Sequence, residues 1–170
     1  MGKIAKARPV KLITGFIFKD NAAFKKAKIL LKQRFGKIDF ESQTLPFNLT
    51  DYYKKEFGDG LKRVFISFRR QIPPQELSKI KVFTNQIEKK ISCGKNRLVN
   101  IDPGYLDLAK LILASTKDYV HRIYLDKGIY AEITLFYQDK SFKPWTWTYP
   151  DYRTPEYIAI FNHIREIYAQ

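Results

Sequence analysis

The sequence predicts an α+β fold: a ferredoxin-like split βαβ unit (βαββαβ) extended by a helix, a β-hairpin and a C-terminal helix. Three observations lead there. Period-two apolar runs alternate with period-3.6 stripes through residues 10–102. Gly and Pro punctuate the changes between them. And 170 residues that are 45% hydrophobic and 15% aromatic carry enough apolar material for one core-bearing domain.

Residues 10–18, dense in β-formers, read as the first strand. Asp20 can cap the helix that follows, in which Phe24, Ala27, Leu31 and Phe35 recur at helical spacing before Gly36 ends it. Strands are expected at 38–43 and 61–70; in the latter Val64, Ile66 and Phe68 face one way and Arg63, Phe65 and Ser67 the other. Pro73-Pro74 opens a second helix with the stripe Leu77, Ile80, Thr84, Ile87, Ile91, ended by Gly94. A fourth strand at 98–101 closes the unit.

Asp102-Pro103 then has the form of an N-cap with Pro at N1, predicting a third, buried helix through Ala114. A hairpin over 120–125 and 129–137 turns at Asp126-Lys127-Gly128. Its expected register sets Leu125 opposite Ile129, His121 opposite Ile133 and Arg122 opposite Glu132. An aromatic, proline-broken loop spans 145–153, and Thr154-Pro155 starts a last helix with Tyr157, Phe161, Ile164 and Tyr168 inward. Residues 1–9 are expected as a flexible basic N-terminus, 10–102 as the basic unit, and 103–170 as an integral extension of the same domain.

Charge divides the chain unevenly. The formal net charge is +14; residues 1–103 carry 23 basic against 9 acidic side chains, whereas 104–170 carry eight of each. The excess is mostly lysine, which is as much a solvated coat as a phosphate reader. No run of 18 apolar residues exists to span a membrane, and the first residues lack the apolar segment of a secretory signal. Cys93 is the single cysteine, so one chain holds neither a disulfide framework nor a cysteine metal cage, and a cytoplasmic address is expected. No phosphate loop or G-x-G-x-x-G is present, and no cofactor is implied.

Several segments combine polar groups beyond the needs of packing: Thr50-Asp51-Tyr52-Tyr53 with Glu56, Gly60-Leu61-Lys62-Arg63, Asn100-Ile101-Asp102-Pro103-Gly104-Tyr105, 115–124, 128–132 and 147–153. In this order, over residues 9–168, they resemble a bacterial family catalogued as domain-of-unknown-function family 4416. The resemblance implies no activity, cofactor or catalytic residue.

Three readings of function follow from the residues. The first is recognition of an anionic partner, RNA or a phosphorylated small molecule, by Lys62, Arg63, Thr116, Lys117 and Arg122. Tyr52, Tyr53, Trp145, Trp147 and Tyr149 would supply an aromatic platform. The second is a small acid/base enzyme centred on His121, with Asp118, Asp102 or Glu132 as its acid/base partners and Lys117 or Arg122 clamping an anion. The third is an interaction or scaffold protein, its 145–152 loop forming an apolar patch. Asp102, Asp118, His121 and Glu132 are possible metal ligands, but no metal-binding spacing joins them and none is assigned. An RNA-recognition motif fits poorly: Arg63, Val64 and Lys62 stand where its third strand needs aromatic, small and glycine residues.

Overall fold

The computed structural model describes residues 2–50, 52–94 and 96–170, and only the backbone of Lys54 and Lys55. Asp51 of the Thr50–Tyr53 segment therefore lies outside the described residues. The fold is mixed α+β. In chain order it runs β1 (Lys11–Phe18), α1 (Asn21–Phe35), β2 (Ile38–Glu41), β3 (Leu45–Pro46) and α2, a single turn (Lys54–Phe57). Next come β4 (Lys62–Phe68), a 3-10 turn (Pro74–Glu76) leading into α3 (Leu77–Ile91), β5 (Val99–Leu106) and β6 (Lys110–Ser115). The chain ends with β7 (Ile123–Asp126), β8 (Ile129–Gln138), β9 (Ser141–Pro144), a 3-10 turn (Asp151–Arg153) and α4 (Pro155–Ala169).

All strands join one antiparallel sheet of order β2-β4-β1-β5-β6-β8-β7, with β3 also on β4 and β9 also on β8. The alternation of side chains assigns the two faces. Leu12, Phe16, Phe18, Val64, Ile66, Phe68, Val99 and Ile101 point to one face and pack under α1 and α3. Ile13, Phe65, Leu106, Leu113 and Leu135 point to the other, where Tyr157, Phe161 and Ile164 of α4 meet them. The caps behave as their residue types require: Asp20 accepts from the N–H of Ala22 at 2.8 Å, and Gly36 takes φ +90°.

The expected third helix is absent. Residues 103–114 instead form the end of β5 and all of β6, because a run apolar on every side suits a strand buried on both faces as well as a buried helix. Pro103 is tolerated in β5 because it points the same way as Ile101, away from the hydrogen bonds to β1. Asp102 thus caps nothing. The hairpin keeps the expected register at Ile123–Ala131 and Tyr124–Tyr130, but a bulge at Leu125 sets Asp126, not Leu125, opposite Ile129. The first strand begins at Ile123, so His121 and Arg122 lie in a turn before it rather than in the ladder opposite Ile133 and Glu132. Among the described residues no helix is long and apolar enough to cross a membrane.

Candidate functional site

A cleft opens where β5 and β6 part, lined from one face by α3 and from the other by Arg63 of β4 and residues 149–152 before α4. They pair only through residues 104–106, and Gly104 is needed there: a Cβ would lie 2.3 Å from the carbonyl oxygen of Ile112. Beyond Gly104 the strands separate, leaving the N–H and C=O of Ile101 without a strand partner. Two buried charges of α3 replace it. Glu88 Oε1 accepts from the Ile101 N–H at 2.6 Å, and Lys81 Nζ donates to the Ile101 carbonyl at 3.0 Å.

The resulting cavity of about 600 Å³ has a charged floor. Arg63, 3% exposed, donates from Nη2 to Asp151 Oδ2 at 2.6 Å and from Nε to Tyr157 Oη at 3.3 Å. Its Nη1 lies 3.5 Å from Asp102 Oδ2 and has no hydrogen-bond partner. Gly15 leaves room for this guanidinium, since a Cβ there would stand 3.2 Å from Nη1 and 3.0 Å from the Phe65 ring. Asp102 also accepts from Asn100 Nδ2 at 2.7 Å and sits 3.6 Å from Lys81 Nζ.

Arg97 extends the network outward. It grips both Glu56 oxygens at 2.6 and 2.7 Å, and its Nη1 donates to Glu88 Oε2 at 3.0 Å and Asn100 Oδ1 at 2.9 Å. Those bonds hold the Glu56 carboxyl below its ordinary pKa, while burial pushes Glu88 up against the pull of Lys81. Burial likewise raises Tyr53, Tyr152 and Tyr157, and takes Tyr149, which also faces Glu132, to about 12. Lys117 and Tyr52 bridge one rim, with the ammonium 4.2 Å from the ring centroid and a hydrogen bond to the phenol.

Of the residues singled out from sequence, Arg63, Thr116, Lys117, Glu132, Tyr52, Tyr53 and Tyr149 line this cleft. Asp102 lines it too, as part of the floor, where it meets Arg63 and Lys81. The remaining candidates stand apart. Lys62, on the opposite face of β4, donates to Asn21 Oδ1 at 3.1 Å. Arg122 backs the wall: its Nε donates to Glu132 Oε2 at 2.8 Å, and it also bonds the Lys117 carbonyl and the Tyr149 hydroxyl. His121 Nε2 is 3.1 Å from the same Glu132 oxygen, but the ring stacks on Trp147 outside the cavity lining. Asp118 is exposed and, among the described residues, has no hydrogen bond or ion pair, so it does not orient His121.

Trp145 and Trp147 stack at 5.1 Å in the gap that β7 and β9 leave along β8. There the Trp147 indole donates to the Ile133 carbonyl at 3.2 Å, and Thr148 Oγ1 donates to the Thr134 carbonyl at 2.6 Å. These bonds satisfy exposed strand edge, and they place both indoles outside the cleft.

Lys81, Glu88 and Arg97 are site residues that sequence reasoning passed over, whereas Asn100 lies in one of the polar segments it singled out. A signal for two of them exists: Leu77, Lys81, Thr84, Glu88 and Ile91 follow the 4-3-4-3 spacing of an inward helix face. A lysine and a glutamate seven residues apart on such a face need buried partners.

No curated protein and no solved structure matches the chain. A family model described as Domain of unknown function (DUF4416) matches residues 8–168 of the 170, and the chain belongs to that family.

Proposed function

We propose that the cleft binds a small, phosphorylated molecule that carries hydroxyl or amino groups beside its anionic group. The observation that carries this reading is the meeting, in one concave site, of Arg63, Lys81 and Lys117 with the rings of Tyr52, Tyr53 and Tyr149. Its volume, about 600 Å³, falls within the range of small-molecule sites. Lys117, Thr116 and Ser115 offer donors to a phosphate at the rim, while Asp102, Asn100 and Glu132 offer acceptors to hydroxyl or amino groups deeper in. The acids there also disfavour a polyanion, whose every unit would meet carboxylates.

RNA recognition draws less support. We read residues 10–106 as the ferredoxin-like split βαβ: strand order β2-β4-β1-β5 with α1 and α3 on one face supports that reading. In RNA-binding versions of such a sheet the other face stacks bases; here α4 covers it, and Ile13 and Phe65 are fully buried. A catalytic His121 draws less support, since its ring stacks on Trp147 behind Glu132 and does not itself line the cleft. A cytoplasmic setting, as the lone cysteine suggests, suits a small phosphorylated ligand.

Thermal-shift and calorimetric titration with nucleoside monophosphates, diphosphates and sugar phosphates, alongside an RNA oligonucleotide, tests the proposal. At least one phosphorylated compound should bind, and a concentration near 100 Kd should add roughly 2.7 kcal/mol of stability. Lys117→Ala, at an exposed rim position, should weaken that binding roughly tenfold. Absence of binding across the panel would overturn the reading, as would affinity unchanged in Lys117→Ala. RNA binding with a steep salt dependence, uncompeted by the small compounds, would replace it.

A further inference from the structure

We infer that the outer edge of β7 is a self-association surface, joining two copies of this chain by antiparallel β7–β7 pairing about a two-fold axis. Sheet edges that stay solitary are defended by charge, proline or cover. At the far end of the sheet, β2 has Asp39 bonded to Lys11 and Ser67, and Glu41 bonded to Lys28. β9 carries Lys143 and ends in Pro144. β7 is short, bulged at Leu125 and ends in Asp126, but Ile123, Tyr124 and Leu125 carry neither charge nor proline and are 69%, 57% and 41% exposed. Val120, at 94%, extends the apolar surface just before the strand.

The occupant follows from symmetry and charge. An antiparallel strand pair centred on Tyr124 sets Ile123 of one copy opposite Leu125 of the other, twice, so apolar side chains meet in both halves. The edge also belongs to the part of the chain in which acidic and basic residues balance, eight against eight. Two copies can meet there without net repulsion. Contact through residues 1–103 would bring two surfaces of net +14 together. The cleft opens between β5 and β6, inside the sheet, so association at β7 leaves it free.

Sedimentation of the full chain over two decades of micromolar concentration tests this. A dimer is expected, and Ile123→Lys should weaken it at least about tenfold while leaving the thermal melt of the monomer in place. A second variant reads geometry directly. In a Cys93→Ser background, Tyr124→Cys places two thiols across the axis, where strand Cα separations of roughly 4.5–5.5 Å permit a disulfide. Mild oxidation should cross-link it far faster than Lys25→Cys on α1. A chain monomeric throughout, a dimer indifferent to Ile123→Lys, or equal cross-linking at both cysteines would each overturn the inference.

Discussion

Two faces of the same central strands are covered differently. On one, α1 and α3, each 15 residues long, bring Phe24 and Phe35 of α1 down onto Phe16, Phe18 and Phe68 of the strands, a layer closed without tyrosine hydroxyls at its centre. On the other, a single helix of the same length, α4, covers only part of the sheet, and the aromatic residues at its edge are Tyr152 and Tyr157. Beyond the N-terminal end of α4, buried Arg63, Glu132 and Asp151 take over from apolar side chains. An apolar layer needs only volume, but a layer with charges needs every polar atom partnered. Phenylalanine dominates the first face, while tyrosine borders the second, where the Tyr157 hydroxyl accepts from Arg63 and the Tyr152 ring packs beside the same guanidinium.

Alkaline pH should break the second face first, and with the largest effect. Tyr53, Tyr149, Tyr152 and Tyr157 all have pKa values raised by burial above the ordinary value of 10, Tyr149 to about 12. A group whose folded pKa is raised contributes stability that is fully present below its unfolded pKa and is lost as pH rises toward the folded one. The fold should thus hold up to about pH 10 and fail progressively as pH approaches 12 and beyond. Absorbance at 295 nm, which reports phenolate, should show these tyrosines ionising together with the loss of near-ultraviolet dichroism. Complete tyrosine ionisation near pH 10 with the fold intact would contradict the arrangement.

Arg63 offers a sharper test of what the charges contribute. Arg63→Met leaves Asp151 buried without its partner and should cost about 3–5 kcal/mol in urea denaturation. Adding Asp151→Leu removes the stranded carboxylate and should recover most of that loss, because a well-packed apolar pair often equals a buried ion pair. The double variant would then fold as a stable protein whose cleft lacks its cation, and binding of the phosphorylated ligand should be lost. If the double variant remains as destabilised as the single one, these charges support the fold itself.

The same contrast explains which parts the sequence discloses. The helix-covered face is written in local periodicity: the stripe Leu77, Ile80, Thr84, Ile87, Ile91 and the caps at Asp20 and Gly36 announce α1 and α3 directly. The cleft depends on long-range events that no local pattern encodes. Asp102-Pro103 has the chemistry of a helix start, yet it lies in a strand because β1 pairs it and β6 leaves it. Lys81 and Glu88 become site residues only because that parting exposes Ile101 to α3. Arg63 is visible as an inward position of β4, but Asp151, its partner, lies 88 residues away. The Arg122–Glu132 pair is expected from hairpin register and is present, but Arg122 reaches Glu132 from the turn before β7 rather than from within the ladder.

The smallest expected effect concerns how each face is moored at its helix N-terminus. Asp20 caps α1, and Thr154 caps α4, accepting from the N–H of Tyr157 at 3.4 Å while its hydroxyl donates to the Asp151 carbonyl at 2.8 Å. Alanine at either position should cost about 1 kcal/mol, since one orphan N–H loses its acceptor in both. The consequences for binding should differ. Asp20 borders the apolar layer, so Asp20→Ala should change the urea midpoint alone. Thr154 ties the start of α4 to the turn carrying Asp151 and Tyr152, two residues of the cleft wall, and loosening it frees the partner that fixes Arg63. Thr154→Ala should therefore weaken ligand binding as well as stability, read by calorimetry and urea denaturation on the same samples. Equal loss of binding in the two variants would mean that general stability, rather than the mooring of α4, governs the cleft.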